Sequence, residues 1–290
     1  MNKFCIIIPF YRELTELDKF SVSRLFTVCK DKNYPIWFIE GEGKQYAEHT
    51  LDWLVETGLV DNDCLPSIYK YSKYYFESVN SYSNLLLESE FYQHWNDLGY
   101  NYIFIYQTDC YLFKDEFKEW VNKGYDYIGA PIVATNSDWG YNGPYVGNGG
   151  FSLRNTNTFI RVLDRNSTHW KDHKQELECT VCEKHRDKLC MEFEDLFICK
   201  LLSKYIYIDI PTPVIASRFC IDRNPDECYK MFKFKREEIP MCCHNFMLNV
   251  GWWVHYIPGL NPGDELTEAC NTYIHNFNNM VHPELEGRQA

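Results

Sequence analysis

The apolar run Tyr102-Ile-Phe-Ile-Tyr106 leads through Gln107 and Thr108 to a single acid, Asp109, and a second apolar group, Tyr111-Leu-Phe113, follows. An unbroken run of this kind predicts a strand buried on both faces of a mainly parallel sheet. Around it the pattern alternates. Phe4–Ile8 reads as a strand stopped by Pro9. Leu14–Cys29 carries apolar residues near helical spacing, and Pro35–Ile39 is a short strand closed by Glu40-Gly-Glu-Gly43. Helices are expected over Tyr46–Val55, Tyr82–Trp95 and Asp115–Val121, the last with Gly124 just past its end. Tyr125–Gly129 is a further strand, terminated by Ala130-Pro131.

After residue 131 the pattern loosens. Thr135–Asn148 is rich in Gly, Asn and Tyr and reads as a loop, and Gly147-Asn-Gly-Gly150 as a glycine turn leading into Phe151-Ser-Leu-Arg154. Thr156–Leu163 and Phe193–Leu202 are helical. Asn166–Cys190 is a polar insertion, and the stretch from Tyr205 ends in a polar tail. No internal repeat or low-complexity linker is apparent. The expected architecture is α/β: a mixed, mainly parallel sheet flanked by helices, in one domain. Residues 1–131 and 132–260 would form its two halves, and 261–290 a C-terminal tail.

Composition narrows the function classes. With 45% hydrophobic and 17% aromatic residues over 290 positions, the chain can bury a substantial core. A formal net charge of -12 argues against a nucleic-acid partner, whose phosphates need clustered Lys and Arg. No stretch of ~18 apolar residues occurs, so no membrane span is expected. The start reads as a first strand and not as a signal peptide. Thirteen cysteines, scattered through apolar segments, suit reduced thiols in a cytoplasmic protein, or one peripheral at the inner face of the membrane.

Several residues can carry chemistry. Asp109 stands where ligands bind in open α/β sheets, outside the carboxyl ends of the strands. There it can hold Mn²⁺ or Mg²⁺ against a diphosphate, or simply cap the following segment. Gln107 and Thr108 beside it are candidates to line the same site. Asn148, Gly149 and Gly150 offer main-chain and amide groups for sugar hydroxyls; a tight hairpin is the alternative. Arg154 can pair with phosphate or with a nearby acid. Glu194 and Asp195 open a helix, where acids also complement the helix dipole. Glu40 ends the second strand, placed for a ribose or uracil. In the insertion, Cys179, Cys182, His185 and Cys190 supply enough ligands for a structural Zn²⁺, although incidental thiols explain the same residues. Trp252, Trp253 and Tyr256 can meet a sugar ring or pack in the core.

Together these segments resemble a family of GT-A-type glycosyltransferase-like proteins, largely grouped as a domain of unknown function and found in bacterial surface-polysaccharide loci and large viruses. The resemblance rests on Ile8-Pro-Phe-Tyr-Arg12, Leu17-Asp-Lys-Phe-Ser21, Ser81-Tyr-Ser-Asn-Leu85, Tyr106-Gln-Thr-Asp109 and Tyr125-Asp-Tyr-Ile-Gly-Ala-Pro131. It continues in Val146-Gly-Asn-Gly-Gly-Phe-Ser-Leu-Arg154, Glu194-Asp-Leu-Phe197, Ala216-Ser-Arg-Phe219 and Ile239-Pro-Met-Cys-Cys-His244. More remotely, the chain is similar to Fringe-type β-glycosyltransferases. It departs from the GT-A pattern in having one acid where two are usual, and in the insertion 166–190.

The resemblance implies a nucleotide-diphosphate sugar donor, here a UDP-sugar, and a glycan or glycolipid acceptor. It implies that Pro9, Tyr11 and Arg12 border the nucleotide. It gives His244 the role of a late histidine on the metal or leaving phosphate, though a lone His is as often structural. It makes Asp195 the general base of an inverting transfer, with Glu194 as the second choice. A non-catalytic carbohydrate- or nucleotide-sugar-binding protein on the same scaffold is the alternative.

Overall fold

The chain, described by a computed structural model over residues 2–133, 144–177 and 193–281, forms nine strands. They are β1 (Phe4–Phe10), β2 (Ile36–Gly41), β3 (Ser67–Tyr71), β4 (Tyr102–Tyr106), β5 (Tyr111–Leu112), β6 (Tyr127–Ile132), β7 (Tyr145–Asn155), β8 (Cys220–Ile221) and β9 (Cys242–Cys243). Six make one sheet in the order β3-β2-β1-β4-β7-β6, and three make a small second sheet, β5-β9-β8. The first four run parallel; β7 is antiparallel to both its neighbours. From β1 the chain steps outward to β2 and β3, then returns to place β4 on the other side of β1. Ligand crevices form at such a reversal, outside the carboxyl ends of the strands.

The two apolar runs occupy the middle, and every residue of β1 and β4 is buried. One sheet face carries Phe104 and Phe151 under an aromatic cover: Phe117 lies 4.8 Å from Phe104, and Phe219 stacks 4.7 Å from Phe151. The opposite face is covered by α3 (Val79–Leu86), α4 (Ser89–Asp97) and α6 (Thr156–Leu163), with Tyr92 and Phe159 4.5 Å apart. Helix α1 (Glu16–Cys29) starts at Thr15 with a capping box to Asp18, and α2 (Tyr46–Glu56) and α5 (Phe117–Lys123) follow β2 and β5. Trp253 is fully buried, 5.4 Å from Phe113, in a second apolar cluster around β5 and β9; Trp252 packs on Tyr229. These two tryptophans belong to the packing.

Several boundaries differ from expectation for clear reasons. Pro9 does not stop β1. Ile6 N donates to Pro35 O on the β2 side, so by alternation Pro9 faces β4, and the β4 ladder has already ended at Ile7. The missing N–H therefore costs no ladder bond. Pro131 likewise lies inside β6, an edge strand with register shifts around Ala130. The helix expected over 82–95 is two helices, and β3 replaces a segment that lacked any strong apolar alternation. Gly147-Asn-Gly-Gly150 is not a turn: all four residues lie within β7, and none has a positive φ. The tail contains a 17-residue helix, Glu265–Val281, packed against α1 and the turn Phe246–Asn249.

Phe104 is fully buried between the sheet and its aromatic cover. Phe104→Ala should therefore lower unfolding free energy by about 3–5 kcal/mol. Chemical denaturation monitored by tryptophan fluorescence measures it; a loss under ~1 kcal/mol would show that this aromatic face is not the core.

Candidate functional site

At the carboxyl end of β4 the chain turns sharply. Cys110 N donates to Gln107 O at 3.0 Å, closing a four-residue turn that presents Asp109. Gln107 N donates to Gly150 O at 2.9 Å, which fastens the start of the turn to β7. The small sheet then brings two distant segments to the same place. Tyr111 pairs with Cys243 and Ile221 pairs with Cys243, so one residue further on Asp109-Cys110 and Asp222 both flank His244.

His244 is 6% exposed, with a carboxylate at each ring nitrogen. Nδ1 lies 3.1 Å from Asp222 Oδ1; Nε2 lies 3.1 Å from Asp109 Oδ1 and 3.2 Å from Gln107 Oε1. Asn245, in the left-handed region at φ 52°, adds its amide to Asp222 at 2.8 Å. Burial alone would hold the imidazole neutral, but Asp109 and Asp222 outweigh it and raise its pKa well above the ordinary value. Hydrogen bonds from His244 and Asn245 hold the buried Asp222 carboxyl below its ordinary value, against the opposing effect of burial.

Glycine makes this packing possible. A Cβ on Gly150 would sit 2.2 Å from His244 Nε2, and one on Gly149 would sit 2.7 Å from Glu194 Oε1. No other residue lets β7 pass between these side chains. Gly149 N donates to Asp195 Oδ2 at 2.8 Å, and Leu196 N donates to Asp195 Oδ1 at 2.7 Å. Asp195 is half-buried. Burial first, then the neighbouring Glu194 carboxylate, push its pKa up to about 8, against those two backbone bonds.

The residues expected at the site divide into three groups. Asp109, Gln107, His244, Asn148, Gly149, Gly150 and Asp195 come together. Asn148 Nδ2 donates to Asp222 at 3.1 Å, and its Oδ1 accepts from Gly150 N. Pro9, Tyr11, Arg12 and Thr108 border the same end of the sheet. Tyr11 is 57% exposed, with the Arg12 guanidinium 5.3 Å from its ring. Arg12 is partly committed already, forking onto Asp18 at 2.5 and 3.2 Å.

Three residues are corrected. Glu40 is fully buried, accepts from Ala47 N at 3.0 Å and pairs with Lys70 at 2.8 Å, so it faces no ribose. Arg154 is fully buried and pairs with the acid, not with a phosphate: Nη2 meets Glu194 Oε1 at 2.8 Å and Nη1 donates to Tyr92 Oη at 3.0 Å. Glu194 is spent on that pair and on Ser83, which removes it as the second choice for a base. Strand alternation decides this, because Arg154 lies on the face beneath α4. Cys179, Cys182, His185 and Cys190 lie outside the described residues. Asp222 was missed; it follows the two-residue strand β8 and carries no local signature.

A divalent cation fits here. Among the described residues, the donor atoms of Asp109, Cys110 and His244 form a cluster of the right size. Asp109 Oδ1 is buried and receives no hydrogen bond from the described residues apart from its approach to His244. Cys110 is unsuited: burial pushes its thiol pKa up and Sγ donates to Gly150 O at 3.5 Å. That leaves an oxygen and a nitrogen donor, with Asp222 behind the histidine in the arrangement that usually orients a metal-binding imidazole.

Residues 67–244 match the model of the family described as "Protein of unknown function (DUF5672)". No curated protein matches the chain by sequence. In shape the chain is similar to the apo crystal structure of mouse xyloside xylosyltransferase 1. The TM-score is 0.54 at 13% identity, covering 84% of this chain and 97% of that one. It is also similar, at lower scores, to galactosyltransferase LgtC in complex with donor and acceptor sugar analogs (TM-score 0.48, 11% identity, 93% and 95% covered). A glycosyltransferase involved in glycosylation of the major capsid of PBCV-1 gives a TM-score of 0.39 at 9% identity, with 94% and 99% covered. The likeness to the xylosyltransferase shows a fold of the GT-A glycosyltransferase type, a mixed sheet flanked by helices.

Gly150→Ala should displace His244, because the added methyl meets a ring held on both sides. The expected cost is about 1–3 kcal/mol of stability, together with a changed His244 imidazole NMR signal. An unchanged signal and melting temperature would mean that β7 and His244 are further apart than described.

Proposed function

The chain belongs to the DUF5672 family, and on that premise we propose that it is a glycosyltransferase moving a sugar from a nucleotide-diphosphate donor, a UDP-sugar, to an acceptor hydroxyl with inversion. One observation carries the reading. Two adjacent glycines of β7 hold a candidate general base, Asp195, beside one and His244, paired with Asp109, beside the other. Glycosyl transfer needs two functions at one sugar: stabilisation of a departing diphosphate, and removal of a proton from the incoming hydroxyl.

Asp109 and His244 would hold Mn²⁺ or Mg²⁺, which supplies positive charge for the leaving diphosphate. The remaining work falls to the chain's own groups. Asp222 and Asn245 fix the imidazole ring. Tyr11 offers an exposed ring at the end of β1, and Arg12 keeps 40% of its side chain exposed beyond its pairing with Asp18. Asn148 has its amide bound to Asp222 and its carbonyl to Gly150 N, so it contributes mainly by holding the β7 backbone. Asp195 accepts two backbone hydrogen bonds that aim its carboxylate, and its raised pKa places it near the operating range of a general base. The acceptor is a glycan or glycolipid, and the protein works in the cytoplasm or at the inner membrane face. Among the described residues no helix is long and apolar enough to cross a membrane.

Incubation with a panel of UDP-sugars and Mn²⁺, with UDP release followed by coupled assay, tests the reading. Turnover of at least one donor is expected. Tight binding without any release across donors and acceptors would instead make the chain a binding protein. Asp195→Asn should reduce turnover by about 10²–10⁴-fold, with UDP affinity retained. A near-native rate in that variant would remove the assignment.

The pH dependence has a definite sign. A base must be ionised to accept a proton, so turnover should rise with pH and level off above about 8. Asp195→Asn should lose that limb. A native profile already flat from pH 6 would contradict the assignment.

A further inference from the structure

Asp18 is fully buried, yet its two oxygens accept hydrogen bonds from three separate parts of the chain. Thr15 N and Oγ1 donate at 2.8 and 2.5 Å. Arg12 Nη1 and Nη2 meet the two oxygens at 2.5 and 3.2 Å. Thr108 Oγ1 donates at 2.6 Å. A capping box at the start of α1 requires only the contacts with Thr15. The other two serve a different purpose, since they join the end of β1 to the turn after β4.

That turn is the one carrying Asp109. Gln107 and Cys110 are bonded to each other across it, and Gln107 is fastened to β7. The side chain of Thr108 is a further tether, buried at 7% exposure, beside the bonds that Cys110 makes to Gly150 and Tyr106. With both ends and the second residue fixed, Asp109 is held where it meets His244. The arginine on the same carboxylate is held by a two-point, charge-assisted contact that fixes the plane of its guanidinium. A carboxylate with all its acceptor capacity engaged in the interior rigidifies whatever it binds.

We propose that Asp18 is a positioning residue that locks the cation-holding acid Asp109 and the anion-facing Arg12 into one unit. Its route to Asp109 runs through Thr108. This rests on the glycosyltransferase reading above and adds to it a group that touches neither donor nor ion. The separation between an acid for the cation and an arginine for the diphosphate is thereby set before any ligand arrives, which removes part of the ordering cost of binding.

The test is Mn²⁺ affinity, measured by electron paramagnetic resonance of the free ion, beside thermal stability. Thr108→Val is nearly isosteric and removes one hydrogen bond; Thr108→Ser keeps it. Thr108→Val should bind Mn²⁺ about 10–100-fold more weakly at a melting temperature close to native, and Thr108→Ser should restore native affinity. Asp18→Asn should lose affinity as well, and also stability; should it fail to fold, the Thr108 pair still decides. Native affinity in a folded Thr108→Val protein overturns the inference while leaving the enzyme reading intact. Native protein that takes up no Mn²⁺, with or without UDP, overturns the metal-assisted part of that reading and this inference with it.

Discussion

The approach of β7 to the side chains around it is the constraint on which the site depends. At Gly149 and Gly150 the backbone itself is the packing surface. His244 lies against one glycine, with Asp109 and Asp222 at its two nitrogens. The Glu194–Arg154 pair lies against the other, with Asp195 bonded to its N–H. A side chain at either position would force these groups apart by more than the core can absorb. The diglycine therefore sets the distance between the two halves of the proposed chemistry.

Charge placement follows from the same geometry. Glu194 and Asp195 are neighbours in sequence, but strand and helix directions send them to different fates. Glu194 turns inward to a buried arginine and so leaves no uncompensated charge in the core. Asp195 bonds two backbone N–H groups and makes no ion pair of its own with Arg154, and burial together with the Glu194 charge leaves its carboxyl reluctant to ionise. Two acids at one helix start thus have different surroundings, one in a buried ion pair and one on backbone donors. A similar division separates Asp18, wholly enclosed, from Asp109, whose side chain is 24% exposed.

Much of the fold was legible because burial leaves a strong imprint. The strand Tyr102–Tyr106 and the helix Thr156–Leu163 occur with the expected ends, since a continuous apolar run and a clean helical spacing each admit one reading. Prolines and glycines misled where the neighbourhood mattered more than the residue. Pro9 sits in a strand because no partner required its N–H, and Pro131 in an edge strand whose register is already irregular. Gly147–Gly150 lies in a strand because close approach, and not a bend, calls for glycine there. Asp109 and His244 lie 3.1 Å apart, but the residue on the far side of the histidine left no mark in the sequence. Asp222 meets it only through the pairing of three two-residue strands, a long-range register that no local pattern encodes. Glu40 and Arg154 failed as ligand candidates for the same reason: a residue's type suggested a partner, and strand alternation supplied another.

The account is tested most directly by a crystal structure with UDP and Mn²⁺ bound, using anomalous scattering to locate the ion. It predicts a manganese peak coordinated by Asp109 and His244, the diphosphate on that peak, and Asp195 on the far side of the vacated sugar position. A peak elsewhere on the protein, or a diphosphate bound away from both residues, would contradict it.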